Sequence, residues 1–162
     1  MKAIYHILVR SCFVLIATVS FALLASAQEL DKEKVKSLVE SKNFVFKVQS
    51  VQPMGGPSRQ MTSDYDLRLL GDSVVSYLPY FGRAYTAPDP GDPGGINFTS
   101  TTFEYKAKPK KKGGWNIEIR PKDTRDVRQL TLSVGETGYS QLQVTSNNRQ
   151  SISYYGYIVE RK

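Results

Sequence analysis

From Phe44 onward, apolar and polar residues alternate with a period close to two, and the pattern persists almost to the last residue. Only a strand sends successive side chains to opposite faces, so a chain written this way must fold mainly as β-sheet with one buried face. Phe44, Phe46 and Val48 alternate with Val45, Lys47 and Gln49, and Tyr65, Leu67 and Leu69 alternate with Asp66 and Arg68. Trp115, Ile117 and Ile119 alternate with Asn116, Glu118 and Arg120. Further strands are expected at 74–78, 96–105, 130–134, 142–144 and 151–159, about eight in all. An odd spacing between Phe98 and Phe103 predicts a bulge over 99–102.

Turn chemistry punctuates these runs. Gly55-Gly56-Pro57 marks a loop over 53–62, and Gly71-Asp72 suits a two-residue hairpin whose first position needs positive φ. A basic hairpin tip spans 106–114, Pro121 stops its strand, and Gly135 to Gly138 turns the chain again. Asn147-Asn148-Arg149 reads as a tight turn, because asparagine tolerates left-handed geometry. No βαβ alternation is present, so successive antiparallel hairpins should form one meander. It closes as a small, lipocalin-like barrel or folds over as a sandwich; closure would remove aggregation-prone edges.

Ahead of the strands, residues 29–43 read as one amphipathic helix. Leu30, Val35, Leu38 and Val39 form its apolar stripe, Asp31 is a plausible N-cap, and Asn43 a plausible left-handed end. The ordinary role for such a helix is to pack on the sheet or cover a barrel end; a partner-binding helix is the alternative. Residues 1–27 combine basic Lys2 and Arg10, an apolar run from Cys12 to Leu24, and Ala25-Ser26-Ala27. That pattern is a secretory signal peptide, and no later apolar run approaches the ~20 residues of a membrane helix. A lipid-anchored Cys12 is the lesser alternative, with Arg10 too close upstream. The expected mature chain is therefore a single exported domain, 28–162, periplasmic or at the cell surface.

Losing the leader constrains chemistry more than size. His6 and Cys12, the sole histidine and cysteine, leave with it, and the net charge of +7 falls to +5 without Lys2 and Arg10. No Ser-His-Asp or Cys-His arrangement and no usual zinc site can then form. There is no Ser-x-x-Lys, no Gly-x-x-x-x-Gly-Lys and no Gly-x-Gly-x-x-Gly. Neither a cofactor nor a metal is expected. Asp64 with Asp66, and Asp123 with Asp126, are the available carboxylate pairs, each better read as surface or turn residues than as a glycosidase dyad. The Asp89/Asp92 loop lacks the acidic density of calcium loops. Asn97-Phe98-Thr99 matches a sequon too short to exceed chance.

Aromatic residues offer the better functional hint. Tyr77, Tyr80, Phe81 and Tyr85 crowd around Arg83 in one short stretch broken by Pro79 and Gly82, and the last strand carries Tyr154, Tyr155 and Tyr157. Rings with polar tips suit both ligand surfaces and sheet cores. Tyr77, Tyr80, Phe81, Arg83, Tyr85, Arg149 and Tyr154 are the candidate binding residues, with Tyr154 facing opposite to Tyr155 and Tyr157. Lys106, Lys108, Lys110, Lys111 and Lys112 could meet an anionic envelope surface, or simply keep a hairpin edge soluble. Nucleic acid is an improbable partner outside the cytoplasm.

Three segments carry a resemblance: Tyr-Leu-Pro-Tyr-Phe-Gly-Arg-Ala at 77–84, Gly-Gly-Ile-Asn-Phe at 94–98, and Asn-Arg-Gln-Ser-Ile-Ser-Tyr-Tyr-Gly at 148–156. In this order, after a leader and short helix, the chain resembles a family of exported bacterial proteins known as a domain of unknown function. The resemblance implies a β-rich domain of the periplasm or surface and supplies no catalytic residues. Gly82 would then permit a sharp bend, with Arg83 anchoring it through carbonyls. The expectation is a non-catalytic module for a small apolar or glycan ligand. The alternatives are a carbohydrate enzyme using carboxylates or tyrosine, and a structural subunit of an envelope assembly.

Overall fold

A computed structural model describes residues 30–86 and 94–161. The expected signal peptide and the Asp89/Asp92 loop lie outside these residues. Among the described residues one helix, α1 (Lys32–Ser41), precedes ten strands. In chain order they are β1 (Asn43–Pro53), β2 (Arg59–Gln60), β3 (Asp66–Leu70), β4 (Val74–Leu78), β5 (Ile96–Ser100), β6 (Phe103–Pro109), β7 (Trp115–Pro121), β8 (Val127–Val134), β9 (Tyr139–Ser146) and β10 (Ile152–Val159). They form one antiparallel sheet in the order β5-β4-β3-β1-β10-β9-β8-β7-β6, with β2 beside β1. The sheet curls into a nearly closed barrel.

Strands β5 and β6 stand at opposite ends of that order yet follow one another in the chain. Every neighbouring pair is antiparallel, so β5 and β6 point the same way, as two halves of one bent strand. The first half pairs with β4, the second with β7. The odd spacing at 99–102 is therefore not a bulge within one ladder but the corner where the strand changes partner. Asp123 clamps it: Ser100 Oγ donates to Oδ1 at 2.5 Å, while the Thr101 and Thr102 amides donate to Oδ2 at 2.9 and 3.2 Å.

Other boundaries move for physical reasons. The helix is shorter than 29–43, and Lys42, not Asn43, takes the left-handed position at φ 54°. Asn43 is already committed to β1 opposite Leu70, and the Lys42 carbonyl accepts the Gly71 amide. The loop at 53–62 contains β2, which takes over the edge of β1 at Ser50 and Val51 where β3 stops. The basic tip narrows to the turn after Pro109, leaving Lys106 and Lys108 on β6. Asn147 and Asn148 turn without positive φ; among the described non-glycine residues only Lys42 has it. The Gly71-Asp72 hairpin is as expected, with Gly71 at φ 79°.

Inward residues follow the alternation. Phe44, Phe46, Leu67, Leu69, Ile117, Ile119, Leu130, Leu132, Leu142 and Tyr154 are all fully buried and fill the barrel interior. Each such side chain stabilises the fold by about 1.5–3 kcal/mol relative to exposure. Val35, Leu38 and Val39 of α1 join the same core. The Tyr105 hydroxyl donates to the Val39 carbonyl at 2.9 Å, and Lys32 and Lys34 pair with Glu136 and Glu160. Packing places the helix; the exposed ion pairs add little.

Candidate functional site

The three segments that stood out in the sequence meet in space around Arg149. Its Nη1 donates to the Gly95 carbonyl at 2.6 Å, its Nε lies 2.9 Å from Asp126 Oδ2, and its guanidinium covers the Tyr80 ring at 5.4 Å. The Tyr80 hydroxyl in turn donates to the carbonyls of Arg83 at 2.9 Å and Gln150 at 3.0 Å. A short bridge between Ala84 and Arg149 joins the stretch after β4 to the stretch before β10. Desolvation raises the Tyr80 pKa, so its hydroxyl keeps its proton as a donor. Gly82 is needed beside it, because a Cβ there would sit 2.4 Å from the Tyr80 oxygen.

This cluster is largely architectural. Tyr154 is 0% exposed and its hydroxyl donates to the Pro79 carbonyl at 2.6 Å, so it is a core residue out of reach of an external ligand. Burial pushes its pKa up. The carbonyl anchor of the bend is Arg149, not Arg83, whose backbone amide meets Gln150 Oε1 at 3.5 Å. Phe81 lies at the surface beneath the Arg59 guanidinium, 4.7 Å away, and Tyr85 projects at 68% exposure. The structure thus brings Tyr80, Arg83 and Arg149 together and leaves Tyr77, Phe81 and Tyr85 outward.

Tyr77 belongs to a different arrangement on the outer face of the barrel. Register places it opposite Asp66, Asp66 opposite Lys47, Lys47 opposite Tyr157, and Tyr157 opposite Tyr139. One continuous row therefore crosses β4, β3, β1, β10 and β9, with tyrosines at both ends and an ion pair between. Tyr77 and Tyr139 are 52% and 51% exposed. Tyr65 stands against Tyr77, ring centroids 5.4 Å apart, and Tyr155 lies one pleat along β10 from Tyr157.

Asp66 is not the surface carboxylate its sequence position suggested. It faces outward but is only 2% exposed, holding Lys47 Nζ at 3.2 Å and the Arg68 fork at 3.0 and 3.1 Å. Two cations on Asp66 fix the middle of the row, and the exposed Asp64 lies 4.0 Å from Lys47 Nζ at its rim. Alternation could identify Lys47, Tyr155 and Tyr157 as outward. Their alignment with Tyr77 and Tyr139 could not be read, because register is a property of pairing.

The second carboxylate pair lines a groove of about 280 Å³ between β5 and the 123–127 link. Asp126 is engaged by Arg149, and Asp123 accepts four hydrogen bonds at the corner, from the Ser100 and Thr101 hydroxyls and the Thr101 and Thr102 amides. The Ser100 hydroxyl and then the backbone amides lower the Asp123 pKa, the reverse of the shift a general acid needs. Among the described residues no group of three or more His, Cys, Asp or Glu is placed to hold a metal. No described helix is long and apolar enough to cross a membrane.

Comparison with known proteins adds a fold and a family. The crystal structure of a DUF4251 family protein from Bacteroides eggerthii DSM 20697 superposes with a TM-score of 0.60 at 16% identity, over 80% of this chain and 87% of that one. No curated protein matches. The family profile described as domain of unknown function DUF4251 matches residues 26–158, more than half of the sequence, and the chain belongs to that family.

Proposed function

We propose that this domain is exported and non-catalytic, and that it holds a glycan on its outer face along the row from Tyr77 to Tyr139. The observation that carries this reading is the cross-strand alignment Tyr77–Asp66–Lys47–Tyr157–Tyr139. A pyranose ring presents apolar C–H faces and a rim of hydroxyls. Exposed tyrosines match the faces, and Lys47 and the Arg68 fork, tied to Asp66, match the rim. The row crosses four strand intervals, roughly 19 Å at sheet spacing, which suits an extended oligosaccharide better than a single sugar. The barrel interior is the weaker choice, since Tyr154, Phe44 and Phe46 already fill it.

The test is a neutral-glycan array probed with the exported form, followed by calorimetry on any hit. Tyr77→Ala combined with Tyr139→Ala should weaken binding at least about tenfold, some 1.4 kcal/mol. The unfolding temperature should stay close to native, because both rings are half exposed. Absence of any glycan hit, or unchanged affinity in the double variant, rejects the reading.

A further inference from the structure

We propose that a second, separate site lies in the cleft between the end of β7 and the start of β8, and that it binds a phosphate group. This goes beyond the glycan reading and does not rest on it. The cleft measures about 390 Å³ and is lined by Arg120, Lys122 and Arg128 together with neutral residues, with no carboxylate in its wall. Three cations converge there from a strand, a link and the next strand.

Arg128 is the distinctive member. Opposite β9 the register runs from Val127↔Ser146 directly to Gln129↔Thr145, so Arg128 is the extra residue of a bulge. A bulge leaves its extra residue out of the ladder and re-aims the side chain it carries. Its side chain is exposed and makes no hydrogen bond or ion pair among the described residues. Arg120 and Lys122 are each held in place: Arg120 Nε donates to Oε1 of Gln129, itself in the cleft wall, at 3.1 Å, its Nη2 lies 3.4 Å from Glu118, and Lys122 lies 3.0 Å from Glu104, both carboxylates outside the wall. Two cations are steadied, and the third is unpaired.

The geometry favours phosphate over carboxylate. A planar carboxylate is satisfied by one guanidinium fork, whereas a tetrahedral oxyanion offers oxygens in several directions at once. Exposed cations act weakly one by one, so binding should be salt-sensitive and strongest where phosphates are arrayed. A lipid headgroup and a soluble phosphoester share this chemistry.

The experiment has two arms. Nuclear magnetic resonance titration with glycerol 3-phosphate follows amide shifts over 120–129. Sedimentation compares vesicles of phosphatidylcholine with and without phosphatidylglycerol. The native chain should shift at 120–129 in the first arm, and Arg128→Gln with Lys122→Gln should abolish the shifts while Arg128→Lys retains them. Vesicle binding that falls about tenfold in the same double variant, but not in Lys110→Gln with Lys111→Gln and Lys112→Gln, identifies a lipid source. Shifts without vesicle binding identify a soluble one. Absence of cleft shifts, or vesicle binding lost only in the tip variant, overturns the proposal.

Discussion

Arg149 and Gly95, 54 residues apart, are joined by a 2.6 Å hydrogen bond from guanidinium to carbonyl. Gly95 sits at φ 80°, and a Cβ there would lie 2.6 Å from the Leu78 carbonyl, so the backbone that presents this carbonyl needs glycine. The same guanidinium holds Asp126 and covers Tyr80, which ties the ends of β4, β5, β8 and β10 into one end of the barrel.

Arg149→Ala should therefore destabilise the fold more than an ordinary surface change. Hydrogen bonds to charged groups contribute about 1.5–3 kcal/mol where water is largely excluded, and Asp126 would lose its cation while Oδ1 is already buried without a partner. A loss of about 2 kcal/mol in urea unfolding is expected, with Arg149→Lys recovering only part because it lacks the fork. Equal denaturation midpoints for Arg149→Ala and the native chain would contradict this role.

Tyr154 separates packing from hydrogen bonding. Tyr154→Phe removes only the hydroxyl and leaves the Pro79 carbonyl without its donor, a cost of about 1–2 kcal/mol. Tyr154→Ala also empties a fully buried site and should cost about 3–5 kcal/mol. Calorimetric unfolding of both checks the order; a phenylalanine variant as damaged as the alanine one would mean the ring packs poorly.

Much of the fold was legible because its cause is local. The alternation through Phe44, Phe46, Leu67 and Leu69 depends on residues two apart, and the hairpin at Gly71 on one dihedral angle. What could not be read depends on distant partners. Thr101 and Thr102 do not reveal that β5 and β6 pair on opposite sides of the barrel, and Asp66 does not reveal Lys47 and Arg68 closing over it. The candidate site followed the same division. Tyr80, Arg83 and Arg149 were singled out and do meet, but the outward row needed register, and Tyr154 needed the closed barrel that buries it.

Gly156 marks one place where register and backbone approach coincide. It lies opposite Val48, where β1 shifts register before Ser50, and a Cβ on Gly156 would sit within 1.9 Å of the Lys47 carbonyl oxygen. Gly156→Ala must push β1 and β10 apart at the centre of the sheet, disturbing the Lys47–Tyr157 pair beside it. We expect a loss of several kcal/mol in stability, or no folded product. A variant with a native melting temperature and native amide-exchange protection in β1 would show that the strands can yield there.

Asp123 gives the barrel's corner a pH dependence of defined sign. Its pKa is lowered from the usual 3.8 by the Ser100 hydroxyl first, then by the Thr101 and Thr102 amides that donate to it. A carboxyl with a depressed folded pKa stabilises the fold above its unfolded pKa, and that contribution fades as pH falls through the lower, folded value. Asp123→Asn keeps the shape but removes the charge, so it should unfold at a lower temperature than the native chain near neutrality. The gap should stay constant down to about pH 5 and close only below about pH 4. Melting curves of both proteins from neutral to acid pH provide the check. A gap that is absent at neutrality, or that closes between pH 7 and 5, would show that the corner is held by something other than this carboxylate.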